Sequence, residues 1–80
     1  MAGDDRRGRI RSFLSGYMRD ESLEDDEDFF ASGRVNSLFA MELVLFVEEQ
    51  FKIAVENEDL DLKNFRSVDA ILGFVERKQS

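Results

Sequence analysis

A chain of 80 residues with 42% apolar and 36% charged residues and a net charge of −7 has room for one domain and the composition of a soluble globular protein. Cysteine, histidine and tryptophan are all absent, which excludes disulfide frameworks, zinc centres, thiol nucleophiles and imidazole bases; carboxylates alone could hold a metal, weakly, and no metal site is expected. No apolar run approaches the roughly 20 residues of a membrane span, and the N-terminus lacks the apolar core of a signal peptide, so a cytoplasmic protein is expected.

Ile10, Phe13, Leu14, Tyr17 and Met18 recur at the spacing of one buried helix face and predict a first helix over residues 5–19. Asp4 or Asp5 is placed to cap it, and the arginines at 6, 7, 9 and 11 fall on its solvent side. Residues 20–36 show no helical period and read as a long loop, acidic from Glu24 to Asp28. Phe29 and Phe30 are expected to plug one or both rings into the core, and Gly33 to allow a tight turn.

A second helix is predicted over residues 37–51, capped by Asn36 or Ser37. Ala40, Leu43, Val44, Val47 and Phe51 gather on one side and suffice as a core face. Leu38, Met41 and Leu45 fall on another side, interleaved with Glu42, Glu48 and Glu49, and Phe39 and Phe46 are read as flanking that exposed face. Ile53 and Val55 alternate as a short extended segment with inward anchors. Asn57 is placed to cap a brief helix through residues 58–62, and Phe65 is a further anchor. A last helix starts at Ser67 with Val68, Ile71, Leu72 and Val75 buried, and Arg77 and Lys78 suit its C-terminal turn. The fold class expected is all-α, a small four-helix bundle of three longer helices and one short one, with a long loop between the first two.

Charge is unevenly distributed. Residues 20–61 hold fourteen acids against Arg34 and Lys52. Such a surface repels nucleic acid and anionic membranes and favours protein partners with basic patches.

The stretch containing Phe30, Gly33, Asn36-Ser37-Leu38 and Glu42-Leu43 resembles the phosphopantetheine attachment motif of acyl and peptidyl carrier proteins. Glu48-Glu49-Gln50-Phe51 followed by Ile53 and Val55, and the approach to the last helix from Asn64 to Ile71, are similar to the same family. The likeness spans roughly residues 5–78, so residues 1–80 are expected to form a single acyl-carrier-like domain. It implies a protein that is not an enzyme, with 4′-phosphopantetheine attached covalently to Ser37 and an acyl group held on its thiol as a thioester. Asn36, Leu38, Met41, Glu42, Leu45, Glu48 and Glu49 are then the expected partner-recognition residues. The implied partners are a phosphopantetheinyl transferase, an acyl-loading enzyme and downstream synthase or tailoring enzymes with basic docking patches, meeting a monomer; neither nucleic acid nor membrane is a partner. The resemblance also implies that the apolar bundle interior shelters part of the acyl chain. Asn36 departs from the aspartate usual before the serine; it caps a helix equally well, and the departure bears on how a Mg²⁺-dependent transferase engages this position.

Within the family, the run from Val35 to Glu48 looks like the free-standing carriers of bacterial polyketide pathways that hold glyceryl, hydroxymalonyl or methoxymalonyl extender units. Aminoacyl or D-alanyl carriers and fatty-acid carriers are the near alternatives. A different class is an unmodified helical interaction module, for which Ser37 would be dispensable. A stand-alone enzyme fits least, because no convergent catalytic set is available.

Overall fold

The computed structural model describes residues 2–18 and 24–79. Among these the protein is all-helical: α1 (Ala2–Met18), α2 (Ser37–Phe51) and α3 (Val68–Gln79), with two 3₁₀ turns, Asn57–Asp59 and Leu62–Asn64, between α2 and α3. The expected short fourth helix is therefore replaced by two separate 3₁₀ turns. Glu56, rather than Asn57, caps the first of them, and its backbone N–H donates to Asp59 Oδ2 at 3.0 Å. Asp61 caps the second, its carboxylate accepting from the Lys63 N–H at 3.0 Å. Two capping carboxylates so close in sequence, each binding its own short turn, break what would otherwise be one helical stretch.

α1 begins three residues before its predicted start, so Asp4 and Asp5 lie in its first turn rather than at its cap. Arg19, its predicted end, lies outside the described residues. Ile10 and Leu14 are completely buried, as the period predicts. Tyr17 is not: it is 44% exposed and rests its ring against Phe39, with centroids 4.2 Å apart. The arginines of α1 do more than face water. Arg7 and Arg11 both donate to Asp25, and Arg7 also reaches Asp69 Oδ1 at 2.8 Å on the first turn of α3.

The described part of the long loop, residues 24–36, is held at several points. The Asp28 carboxylate accepts from the N–H groups of Phe30 and Ala31 at 3.1 and 2.9 Å, forming a side-chain-stabilised turn. Phe29 is completely buried, and its N–H donates to the Arg66 carbonyl at 3.0 Å. The Asp69 N–H donates to the Asp25 carbonyl at 2.9 Å. Gly33 takes φ 81°, the left-handed conformation that glycine adopts without steric cost, and turns the chain toward α2.

The core is built from Ile10 and Leu14 of α1, Phe29 of the loop, Leu43, Val47 and Phe51 of α2, and Val68, Ile71 and Val75 of α3. Two phenylalanines join it against or beyond expectation. Phe39, read as flanking the exposed face of α2, is completely buried and packs against Phe13, Tyr17, Phe29 and Phe30. Phe46 is half-buried, its ring 4.2 Å from that of Phe13. This aromatic seam between α1 and α2 gives α2 a core face wider than the five expected positions, so the face left to solvent is narrower. Phe74 is also buried, 5.1 Å from the Phe65 ring, and widens the stripe of α3.

At the far end, α2 stops at Lys52, which sits in the left-handed conformation at φ 56° and ψ 48°. The Gln79 side chain donates to the Phe51 carbonyl at 3.0 Å and satisfies one of the acceptors that end leaves open. Asp59 accepts from Lys78 Nζ at 2.8 Å, tying the first 3₁₀ turn to the last turn of α3. That bond, with the Glu56 N–H beside it, holds the Asp59 carboxyl below its ordinary pKa; the same bond holds the Lys78 ammonium above its own. At the other end of the fold, the hydrogen bond from Arg7 to Asp69, with Asp25 adding to it, raises the guanidinium above its ordinary value.

Candidate functional site

Two serines stand at helix starts, and their surroundings differ. Ser67 precedes α3, is only 6% exposed, and its Oγ accepts from the Ala70 N–H at 3.0 Å, so its hydroxyl is consumed as a cap. Ser37 is the first residue of α2 and is exposed. Its capping work is done by Asn36, whose Oδ1 and carbonyl accept from the Phe39 N–H at 3.2 and 3.1 Å. Of the two cap candidates, Asn36 therefore takes the role, and Ser37 presents its side chain at the junction of an anchored loop and a helix.

Electrostatics at this junction suit an anion. The opening N–H groups of an α-helix lack intrahelical acceptors, and the dipole places positive charge there. The first turn of α2 contains no acidic residue to oppose a negative group, although acids dominate the sequence around it. A phosphodiester on this hydroxyl would be met by backbone donors rather than by like charge. The residues present thus fit a phosphate-linked group.

Beside Ser37, α2 displays Leu38, Met41 and Leu45, which are 70%, 66% and 65% exposed. Three large apolar side chains on one helix face, rimmed by exposed Glu42 and Glu49, make a mixed surface of the kind that docks proteins. Asn36 is exposed at the head of the same face. Glu48 stands apart from the other two glutamates. It is half-buried, and its Oε2 accepts from the Val55 N–H at 2.9 Å.

Sequence reasoning missed a second apolar component. Leu60 and Leu62, on and between the 3₁₀ turns, are 57% and 55% exposed. They face Met41, Val44 and Leu45 across a groove of about 380 Å³, which Val55 and Phe65 also line. Among the described residues Glu48 and Asp61 are its only charged lining residues. The leucine spacing alone could not reveal the groove, since its other wall is formed by Met41, Val44 and Leu45, distant in sequence.

No helix among the described residues is long and apolar enough to cross a membrane. No curated protein and no solved structure matches the chain at a significant level. The family model described as "Phosphopantetheine attachment site" matches residues 9–75, which is most of the chain and includes α2 in full. Domains of this family carry 4′-phosphopantetheine covalently on a serine, act as carriers rather than catalysts, and meet phosphopantetheinyl transferases and biosynthetic enzymes. The matched span shows that this chain belongs to the phosphopantetheine attachment family and is a phosphopantetheine-carrying carrier protein.

Proposed function

We propose that Ser37 is the attachment serine and that the exposed face of α2 is where partner enzymes read the carrier. The observation that carries this reading is the contrast between the two helix-start serines: Ser67 is buried and engaged as a cap, whereas Ser37 is exposed and relieved of capping by Asn36. When bound, the arm supplies a thiol that holds an acyl group as a thioester. The protein's own residues orient the arm from the start of α2, shelter its phosphate with backbone donors, and offer Leu38, Met41 and Leu45 to partners while Glu42 and Glu49 steer basic surfaces into place.

The load we propose is a small polyketide extender unit, on the likeness of the run from Val35 to Glu48 to free-standing carriers of that kind. A second load is favoured by a separate observation. The apolar groove between α2 and the 3₁₀ segment suits an apolar acyl chain better than a hydroxylated two- or three-carbon unit.

Intact-protein mass spectrometry after incubation with coenzyme A, Mg²⁺ and a broad-specificity phosphopantetheinyl transferase tests the attachment. Wild type should gain one phosphopantetheine and Ser37→Ala none. Equal gain by both would move the arm to another serine; no gain by either would leave α2 as the docking face of an unmodified adaptor. The mass of the acyl group recovered from the carrier expressed with its native partners separates the two loads.

A further inference from the structure

The environment of Glu48 sets it apart from every other acid on α2. Lys52 ends α2 in the left-handed conformation, and residues 53–56 follow without regular secondary structure, with Ile53 and Val55 packed against the core. A half-buried backbone N–H on such a segment needs an acceptor. For Val55 that acceptor is Glu48 Oε2 at 2.9 Å, a side chain one turn before the end of α2. Glu48 and Val55 both line the apolar groove, so this one bond pins the groove's wall to the helix that forms its opposite side. Glu42 and Glu49 are exposed, and the Val55 N–H bonds Glu48 rather than either of them.

We infer that Glu48 is a positioning residue, a latch that sets the width of the α2 groove through the Val55 N–H and thereby controls how well a bound acyl chain is shielded from water. The role belongs to the acceptor oxygen and not to the negative charge. It rests on Ser37 carrying the arm, because only an arm rooted at the head of α2 delivers a chain to this groove.

Gln and Ala substitutions separate the two possible roles of the side chain. Glu48→Gln keeps a carbonyl oxygen where the carboxylate oxygen was and removes the charge; Glu48→Ala removes both. The three proteins are loaded with the octanoyl arm from octanoyl-coenzyme A, and cleavage of the thioester by hydroxylamine is followed by mass spectrometry. In that reaction the nucleophile's nitrogen takes the acyl carbon, the C–S bond breaks and the thiol is released. Losing one hydrogen bond of ordinary net strength should speed cleavage in Glu48→Ala by about fivefold, with Glu48→Gln matching wild type. Equal rates in all three proteins would overturn the latch. So would equal acceleration in both variants, since that would assign the effect to charge.

Amide hydrogen exchange at Val55 in the unmodified proteins gives a readout that needs no arm. Protection in wild type and Glu48→Gln, with loss in Glu48→Ala, is expected; the same exchange rate in all three would refute the latch. Failure of all three proteins to accept the octanoyl arm would refute the Ser37 reading instead, and the Val55 exchange pattern would still decide whether the wall is latched.

Discussion

α1 contains Gly8 in its middle and Gly16 in its last described turn, and each lowers the stability of the fold. A Cβ built on either meets no atom within 4 Å, and neither has the positive φ found at Gly33. Replacement by alanine therefore adds no clash, removes backbone freedom from the unfolded chain and raises helix propensity. Each change is worth about 0.4–1 kcal/mol. The two sites are eight residues apart, a little over two turns, and share no neighbours, so their effects should add to about 1.5 kcal/mol. For a domain of this size that raises Tm by roughly 6–12 °C. Urea and thermal unfolding followed by far-UV circular dichroism would measure both singles and the double variant. Gly33→Ala is the opposing control and should destabilise, because its φ of 81° is unfavourable for a residue with a Cβ. A double variant no more stable than wild type would refute the reasoning, since it would mean that the helix around Gly8 and Gly16 adds nothing to the folded state in solution.

Lys52→Gly should stabilise by about 0.5–1 kcal/mol, because the left-handed residue that ends α2 would lose its Cβ strain; unfolding midpoints in urea would read this, and a loss of stability would count against the geometry. Asn36→Ala should cost about 1 kcal/mol through loss of the α2 cap while Asn36→Asp holds wild-type stability, a contrast visible in the same assay. The Asp59–Lys78 pair predicts a pH dependence of definite sign. The folded pKa of Asp59 is depressed, so its contribution is present above the ordinary carboxyl value of 3.8 and is lost as pH falls through the folded value. The stability difference between wild type and Asp59→Asn should therefore be constant near neutrality and shrink in acid. A difference that grew toward low pH would refute the assignment.

The helices themselves were legible because the apolar period of 3.6 survives in each. α2 runs over the predicted residues, and Ile10, Leu14, Val68, Ile71 and Val75 are buried where the pattern puts them. Ser37 at the head of α2 was equally readable, since a polar junction before an apolar run marks a helix start. The split of the expected short helix comes from the local caps of Asp59 and Asp61, and the other misreadings come from tertiary partnering. Phe39 sits on the edge of the five-residue stripe of α2, and the rings of Phe13 and Tyr17 from α1 and of Phe29 and Phe30 from the loop draw it inward. The order of residues 24–36 depends on Arg7 and Arg11 from α1 and on Arg66 and Asp69 beyond the 3₁₀ turns, none of them local. Glu48 looks like its neighbours in sequence, and only its bond from the Val55 N–H distinguishes it.

The Tyr17–Phe39 contact has a practical consequence. This chain has one tyrosine and no tryptophan, so its ultraviolet emission on excitation beyond the phenylalanine absorption band comes from a single ring. That ring leans on Phe39, two residues from Ser37, and nearly half of it meets solvent. Any event that shifts the start of α2 or covers that flank alters the polarity around the phenol. The protein thus contains its own optical reporter of loading and docking, readable in dilute solution without a dye.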